Sequence, residues 1–452
     1  MNDELRVKNN DLGGKMKYRY RTDEEMKDSG VEWLDVIPKS WTRNKLKREL
    51  KFLVGSTPST SNRSFFEGEN IWVTIGDLNG KYCSESKTKL TEEALRSTNM
   101  KKVPKGSLLY SFKLSVGQVA FTETDLYTNE AIASFYPNNN SNLDFWYYAL
   151  GNYLIENSNE NIYGAKLLNQ ELINNANIFV PSEEEQKKIA KFLDKKTAQF
   201  DSIISKKEAL IEKLEEAKKS LISEVVTGKV RVVKTNDGYE LVERKKEEMK
   251  DSGVEWLGLV PKGWKIIKLK YLATLMNKKV KSNSVDKYIG LENVESKTGF
   301  IISYTDPEKV ESDLSTYFDR NMVLFGKLRP YLAKCVVTET SGICSDEFLV
   351  LRTLRLSPNI LKYIMLNSEF IDLVNSSTYG AKMPRANWDF ISNIKVPFFS
   401  ADEQTIIEEF IIYKCNSIDK IINIKKQQIE KLKEAKQSLI SEAVTGKIEI
   451  LD

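Results

Sequence analysis

The chain has 452 residues, a formal net charge of +4 and 41% hydrophobic residues. This length exceeds what one hydrophobic core usually supports, so we expect two or more domains, and no apolar run reaches the roughly 18 residues that a membrane span requires. The absence of histidine, of a GxxxxGK[ST] loop and of adjacent prolines excludes histidine-dependent hydrolases, P-loop nucleotide hydrolysis and the PP-aromatic motif of amino-methyltransferases.

The first 25 residues are interpreted as an N-terminal tail. They lack the apolar core of a secretory signal, which predicts a cytoplasmic protein. The four cysteines, Cys83, Cys335, Cys344 and Cys415, are too dispersed to complete a metal set, and no histidine is present to join them. We therefore expect buried free thiols at these positions and no bound metal.

Two blocks of sequence occur twice. Residues 24–47 align without gaps to residues 247–270, with 17 of 24 positions identical. Residues 182–230 align in the same way to residues 400–448, with 26 of 49 positions identical. A repeat at about half the chain length predicts two sister modules joined in tandem.

Four tryptophans lie at matching places in the first duplicated block: Trp33 and Trp41 recur as Trp256 and Trp264. Residues that are identical in both copies cannot distinguish two different ligands. We therefore expect these tryptophans to anchor a shared structural or docking element, and we expect specificity to reside where the two copies differ.

The segments between the repeated blocks, residues 48–181 and 271–399, have similar lengths but share few residues. Each mixes short β-rich runs, such as SLLYSF in the first and FLVLR in the second, with turn residues and a few helical stretches, such as NILKYIMLNSEFIDLV at 359–374. We predict two related α/β domains, over residues 26–181 and 249–399, in a chain of the α+β class. Residues 230–248 contain an NDG turn signal and a charged run, and we interpret them as a linker.

Residues 182–229 and 400–448 are predicted to form two long helices. In the first helix a 3-4 alternation of apolar residues runs from Leu193 to Val225, and the second copy keeps this register, with lysine interrupting the stripe at two matching places. The pattern is typical of a coiled coil, and the lysines could fix its alignment. Ser182 and Ser400 are the predicted N-caps, and a Thr-Gly pair is expected to end each helix. Each helix of about 44 residues should be ~65 Å long.

Three repeated elements resemble the conserved regions of type I restriction-modification specificity subunits: SGVEWLxxxPxxW, EQxxI at the start of a long helix, and LISExVTGK at its end. The resemblance covers about residues 16–448. The first domain departs from the second by having SFKLSVGQV in place of KLRPYLAK, so the two domains should read different bases. Shorter motifs are similar to landmarks of that family's target-recognition domains, namely WVTIGDL at 72–78, TNEAIA at 128–133, YIGLENV at 288–294, KLRPYLAK at 327–334 and SDEFLVLR at 345–352.

The resemblance implies a non-catalytic subunit that binds double-stranded DNA. Each recognition domain would read one half of a bipartite, asymmetric site, while the two helices pack as an antiparallel coiled coil in a pseudo-twofold internal repeat. The partners would be two methyltransferase subunits and restriction/translocase subunits, with no membrane. The chain would bind no cofactor, and S-adenosylmethionine, ATP and Mg²⁺ would belong to the partner subunits. Helix length would then set the spacing of the half-sites, for which about one DNA turn, ~34–36 Å, suits the geometry.

Candidate DNA contacts are exposed cations and polar donors, because phosphates need cations or donors and base edges need Arg, Lys, Asn or Gln within reach. Lysines that follow Tyr-Gly-Ala in both domains suit phosphate contact. For every other candidate, ordinary solvated surface is the competing interpretation. The candidates are Ser59, Thr60, Asn62, Arg63, Lys113 and Lys166 in the first domain, and Lys278, Lys279, Lys281, Asn283, Lys327, Arg329, Tyr331, Lys382 and Arg385 in the second.

Two other functions are weighed against this one. A stand-alone DNA-binding regulator would need the same basic surface but no partner subunits. A nuclease that uses carboxylates and a metal is suggested by Glu216-Ala217-Lys218 and Glu434-Ala435-Lys436. These strings lie within the predicted helices and fit exposed helix positions better than a metal site.

Overall fold

The computed structural model describes residues 17–113, 115–136, 142–160, 166–281, 287–307, 314–378 and 383–451. The chain forms two compact units: unit 1 combines the residues up to 206 with those from 428 onward, and unit 2 consists of residues 207–427. Each unit therefore contains one predicted recognition domain and part of each long helix. No helix in these ranges contains an apolar stretch of the length needed to cross a bilayer.

The helices include two of 44 residues, at the predicted places. They are α1 (Leu46–Glu49), α2 (Glu92–Ser97), α3 (Leu143–Glu156), α4 (Gln170–Asn175), α5 (Glu183–Val226), α6 (Pro358–Leu366), α7 (Ser368–Ser376), α8 (Trp388–Asn393) and α9 (Ala401–Val444).

Unit 1 is built around a five-stranded sheet of order β5-β12-β9-β10-β7 and a three-stranded sheet of order β11-β6-β8, with four two-stranded pairs. Its strands are β1 (Tyr18–Tyr20), β2 (Met26–Val31), β3 (Leu34–Pro38), β4 (Thr42–Lys45), β5 (Phe52–Val54), β6 (Asn70–Val73), β7 (Tyr82–Cys83), β8 (Lys89–Leu90), β9 (Leu108–Ser111), β10 (Val119–Thr122), β11 (Tyr127–Thr128), β12 (Ile132–Phe135), β13 (Asn159–Glu160), β14 (Lys166–Leu167) and β15 (Asn177–Val180), together with β30 (Ile448–Ile450).

Unit 2 contains two four-stranded sheets, of order β21-β28-β25-β26 and β22-β24-β27-β23, and three two-stranded pairs. Its strands are β16 (Val230–Thr235), β17 (Gly238–Glu243), β18 (Met249–Asp251), β19 (Leu259–Pro261), β20 (Lys265–Lys268), β21 (Ala273–Leu275), β22 (Lys279–Lys281), β23 (Tyr288–Ile289), β24 (Leu314–Phe318), β25 (Val323–Gly326), β26 (Cys335–Val337), β27 (Gly342–Cys344), β28 (Phe348–Thr353) and β29 (Lys395–Phe398).

A central antiparallel strand pair is common to both units and confirms that the two domains are related. In unit 1, β12 pairs with β9 so that Ile132 faces Ser111; in unit 2, β28 pairs with β25 so that Phe348 faces Gly326. An edge strand, β5 or β21, extends each pair on the same side. The mixture of helices with mainly antiparallel sheets confirms the predicted α+β class.

The predicted seam of the long helices is confirmed by burial. Ile204 and Ile211 on α5, and Ile422 and Ile429 on α9, are each less than 10% exposed. In unit 1 the two helices run antiparallel. Asp201 on α5 forms an ion pair with Lys436 on α9. Glu185, at the start of α5, pairs with Arg21, which also pairs with Glu449 on the strand that follows the end of α9. In unit 2 the pair Lys218–Asp419 and the packing of Val226 with Ile411 show the same direction.

The predicted helix ends are also confirmed. The Ser182 hydroxyl accepts the Glu185 N–H and the Ser400 hydroxyl accepts the Glu403 N–H, both at 3.3 Å. Both helices stop at a glycine with positive φ, +76° at Gly228 and +74° at Gly446. A Cβ at either glycine would press against a proline and a tryptophan of the same unit, so these positions require glycine.

The predicted linker contains a β-hairpin, which has a counterpart in unit 1. After α5, β16 turns back through Asn236 and Asp237 and pairs with β17. After α9, β30 pairs in the equivalent register with β1, so that Ile448 faces Tyr20 as Val230 faces Glu243. The N-terminal and C-terminal strands of the described chain therefore meet in unit 1.

The four cysteines are free and buried, as predicted. Burial raises the pKa of Cys335 and of Cys344 to about 12, so both thiols remain protonated at neutral pH. They act as small apolar residues of the core.

Candidate nucleic-acid interface

Three chain segments of unit 2 lie side by side where β25 ends and β28 begins. The Lys327 N–H donates to the Glu347 carbonyl oxygen at 2.8 Å, and the Ala386 N–H donates to the Lys327 carbonyl oxygen at 2.9 Å. The Arg329 N–H donates to the Pro384 carbonyl oxygen at 2.8 Å. These bonds bring together predicted DNA contacts that are far apart in sequence. We call this surface the basic edge of unit 2 and define it by Lys279, Lys327, Arg329 and Arg385, with Asp346 and Glu347 between them.

The backbone of the basic edge is strained at two non-glycine residues. Arg329 has φ +52° and Ala333 has φ +47°, on either side of the 3-10 turn Pro330–Leu332. Left-handed conformations of this kind are costly for residues with a Cβ and are kept where the surrounding structure imposes them. Here the buried Pro330 and the bond to Pro384 impose the conformation. The Arg329 side chain is exposed, and among the described residues no side chain hydrogen-bonds to it.

Two cations of the basic edge are held by adjacent carboxylates. Lys279 forms an ion pair with Asp346, which also accepts the Thr316 hydroxyl at 2.9 Å. Arg385 donates two hydrogen bonds to Glu347, from Nη2 to Oε1 at 2.7 Å and from Nε to Oε2 at 3.2 Å. The hydrogen bond from Lys279 lowers the pKa of Asp346, and Glu347 raises the pKa of Arg385. Asp346 and Arg385 are therefore charged at neutral pH.

The remaining candidates of unit 2 lie next to this edge or outside the described residues. Lys278 lies over the ring of Tyr317, with 4.5 Å from its ammonium to the ring centroid, and Lys281 is exposed on β22. Tyr331 is 45% exposed. Asn283 and Lys382 belong to the ranges that the structure does not describe.

In unit 1 the loop of residues 55–66, GSTPSTSNRSFF, contains the predicted contacts that precede Lys113. Thr57 in this loop donates its hydroxyl to Glu130, just before β12. This hydrogen bond lowers the pKa of Glu130, and the charge of Lys113 contributes in the same direction. Residues 59–64 of the loop are exposed and bond mainly to one another, as in the Ser59–Ser61 hydroxyl contact of 2.7 Å. The predicted contacts in this loop, all exposed, are Ser59, Thr60, Asn62 and Arg63.

Lys166 occupies a different part of unit 1. It lies on β14 and forms a 2.7 Å ion pair with Glu160 on β13. The Tyr-Gly-Ala turn that was expected to project it falls outside the described residues. The ion pair raises the pKa of Lys166, which is fully charged at neutral pH.

Two of the four repeated tryptophans make matching structural contacts, one in each unit. Trp41 and Trp264 are buried, and their indole N–H groups donate to Glu185 at 3.0 Å and to Glu403 at 2.9 Å, at the start of α5 and of α9. The same carboxylates also pair with a buried arginine, Arg21 in unit 1 and Arg244 in unit 2. Sequence reasoning did not single out these arginine–glutamate pairs, although their matching places in the two copies are a signal that could have found them.

Two of the four lysines that interrupt the seam, one on each helix, have acidic partners across the helix pair. Lys218 contacts both oxygens of Asp419 at 2.7 Å, and Lys436 contacts those of Asp201 at 2.7 and 2.8 Å. The lysines of the two Glu-Ala-Lys strings are therefore bound to aspartates, while Glu216 and Glu434 are exposed. Within the described ranges no cluster of three or more acidic or cysteine side chains could hold a metal ion.

Comparison with known proteins identifies a family domain, one relative that matches over nearly its whole length and another that matches over part of its length. Residues 38–215 match the family model described as the type I restriction modification DNA specificity domain. The type I restriction enzyme MjaIX specificity subunit of Methanocaldococcus jannaschii is 24% identical over 96% of this chain and 98% of its own length. The EcoDI specificity subunit of Escherichia coli is 23% identical over 61% of this chain and 63% of its own.

A solved structure shows the same fold. It comes from work on complex assembly and conformational transition of the type I R-M system, and it superposes with a TM-score of 0.65 at 12% identity. The match covers 91% of this chain and 99% of that chain. The fold is therefore shared along nearly the whole length of the chain.

Proposed function

We propose that this chain is a type I restriction-modification specificity subunit and that its two recognition domains each read one half of a bipartite, asymmetric DNA site. We take these domains as residues 26–181 and 249–399, with the first long helix, residues 182–229, and the linker, residues 230–248, between them. The long helices would set the spacing of the half-sites and hold two methyltransferase subunits, with restriction/translocase subunits completing a cytoplasmic complex. The chain would contribute recognition and no catalysis, leaving S-adenosylmethionine, ATP and Mg²⁺ to its partners.

One observation carries the proposal: the two units repeat their scaffold and differ at the candidate DNA surface. Arg21, Glu185 and Trp41 are matched contact for contact by Arg244, Glu403 and Trp264. At the strand ends, by contrast, unit 2 presents Lys327 and Arg329 where unit 1 has SFKLS. A common frame with two different reading surfaces suits a target made of two unlike halves, because readout depends on side chains that reach base edges.

A domain exchange tests this proposal. The chain is co-expressed with its methyltransferase, and residues 48–181 are replaced by the corresponding segment of another specificity subunit. Sequencing of methylated positions across the genome should show one half of the modified motif changed and the other half retained. Changes in both halves would contradict independent reading, and methylation that persists without this chain would contradict the subunit assignment. Sequence-specific binding without any need for the methyltransferase would favour a stand-alone regulator.

A further inference from the structure

Two adjacent carboxylates stand in the middle of the basic edge of unit 2, where a DNA-binding surface would be expected to be positive. Asp346 is 64% exposed and Glu347 is 24% exposed, and each holds one of the predicted DNA contacts, Lys279 or Arg385. A phosphate can bind either cation in full only by displacing its carboxylate. The surface therefore resists unselective binding to the DNA backbone, which is the main source of affinity for unrelated sequences.

The displaced carboxylates need new hydrogen-bond donors. A carboxylate placed against acceptor groups or phosphates of DNA is left without a donor, which costs free energy. Amino groups in the major groove, above all cytosine N4, are the base groups that Asp and Glu accept from. A DNA sequence that places such an amino group within hydrogen-bond reach compensates the charge of the carboxylate. Any other DNA sequence leaves that charge without a donor. Rejection of wrong partners by an uncompensated charge is a general source of specificity.

We propose that Asp346 and Glu347 are specificity-determining residues that exchange their lysine and arginine partners for a base amino group, while the released cations take phosphates. The proposal rests on the proposed function, since it requires the basic edge to face DNA. Neighbouring contacts support this exchange. The backbone around Glu347 stays fixed by the Lys327 N–H and by the Ser345 hydroxyl, which accepts the Glu347 N–H at 3.2 Å, so the side chains can change partners without a change of fold.

The test is DNA binding by Glu347→Gln in the full chain with its methyltransferase. The probes are a duplex that carries the motif mapped by methylation sequencing and a scrambled duplex of the same composition. Releasing Arg385 should strengthen binding to the scrambled duplex by about three- to tenfold and steepen the salt dependence by about 0.9 in log–log slope. Discrimination at one amino-bearing base position of the motif should fall by about tenfold. Asp346→Asn should act in the same way through Lys279.

The matched control is Glu248→Gln in the segment 230–248. Glu248 is 37% exposed and is also paired with an arginine, Arg231, so its substitution makes the same change in net charge at a residue that is not part of the basic edge. It should change binding to the scrambled duplex by less than about twofold. Equal effects of Glu347→Gln and Glu248→Gln would overturn the proposal, because a general gain of charge would then explain both.

Two further variants separate the possible failures. In an Arg385→Ala background the effect of Glu347→Gln on scrambled DNA should disappear, and its persistence would overturn the exchange.

The double variant Lys327→Ala/Arg329→Ala removes the two edge cations that have no carboxylate partner among the described residues. If it weakens DNA binding while Glu347→Gln changes nothing, only the exchange is rejected. If it leaves binding unchanged, the basic edge does not face DNA, and both the exchange and the assignment of this surface fail.

Discussion

Tyr110 is a buried residue of β9 whose hydroxyl has no hydrogen-bond partner among the described residues. Its side chain is fully buried in the main core of unit 1, and burial raises its pKa well above the ordinary value of tyrosine. Phe325 fills the corresponding place on β25 in unit 2 without a hydroxyl. A buried polar group that makes no hydrogen bond costs free energy, so this hydroxyl destabilises unit 1.

We predict that Tyr110→Phe raises the free energy of unfolding of unit 1 by about 1 kcal/mol. The measurement is denaturant unfolding followed by tryptophan fluorescence. Tyr153→Phe is the matched control, because the Tyr153 hydroxyl is equally buried but donates to the Phe179 carbonyl oxygen at 3.1 Å. That substitution should lower the free energy of unfolding by about 1 kcal/mol. Destabilisation by both variants would show that the Tyr110 hydroxyl does have a partner.

At the scale of elements, the reciprocal ion pairs Lys218–Asp419 and Lys436–Asp201 hold the long helices in register. A lysine in an apolar seam loses water contacts, which costs free energy. An aspartate at the matching place on the other helix offsets that cost only when the two helices are aligned in one register. Lys218 is 14% exposed and Lys436 is 28% exposed, so the first pair is the less solvated of the two.

We predict that Asp419→Lys, which places two lysines together, lowers the free energy of unfolding by about 1–2 kcal/mol, and that adding Lys218→Asp restores most of the loss. The same cycle at Asp201 and Lys436 should give the same pattern with a smaller amplitude, because solvent screens the more exposed pair. Thermal unfolding of the four variants of each cycle provides the measurement. A double variant no more stable than the single one would contradict a role of the pair in register.

The long helices, their caps and strands such as β9 and β28 were predictable because local periodicity determines them. A break within one predicted helical stretch was not foreseen: α6 ends and α7 begins at Asn367, whose side chain accepts the Glu369 and Phe370 N–H groups. Pairings over long distances were also missed, such as Asp419 with Lys218, since no local pattern reports them. At the candidate site, sequence found the cations Lys279 and Arg385 but not the carboxylates that hold them, because ion pairing depends on how distant loops meet.

At the scale of the whole molecule, the boundary between the units falls in the middle of both long helices, after residue 206 on α5 and after residue 427 on α9. The two Lys–Asp pairs lie on opposite sides of this boundary, one within each unit. Equal insertions at both boundary points would therefore leave each pair and each recognition domain intact while lengthening the helix pair.

On the proposed function, we predict that inserting one heptad at both points widens the gap between the proposed half-sites by about three base pairs. Seven helical residues add ~10.5 Å, and DNA rises ~3.4 Å per base pair. Methylation mapping in cells that carry the lengthened chain with its methyltransferase should show both half-sites unchanged and more unread bases between them. A heptad inserted in α5 alone is the control: it opposes the register set by the ion pairs and should destabilise the protein without giving a new spacing. An unchanged gap in the doubly lengthened chain would show that some element other than the helix pair determines the spacing.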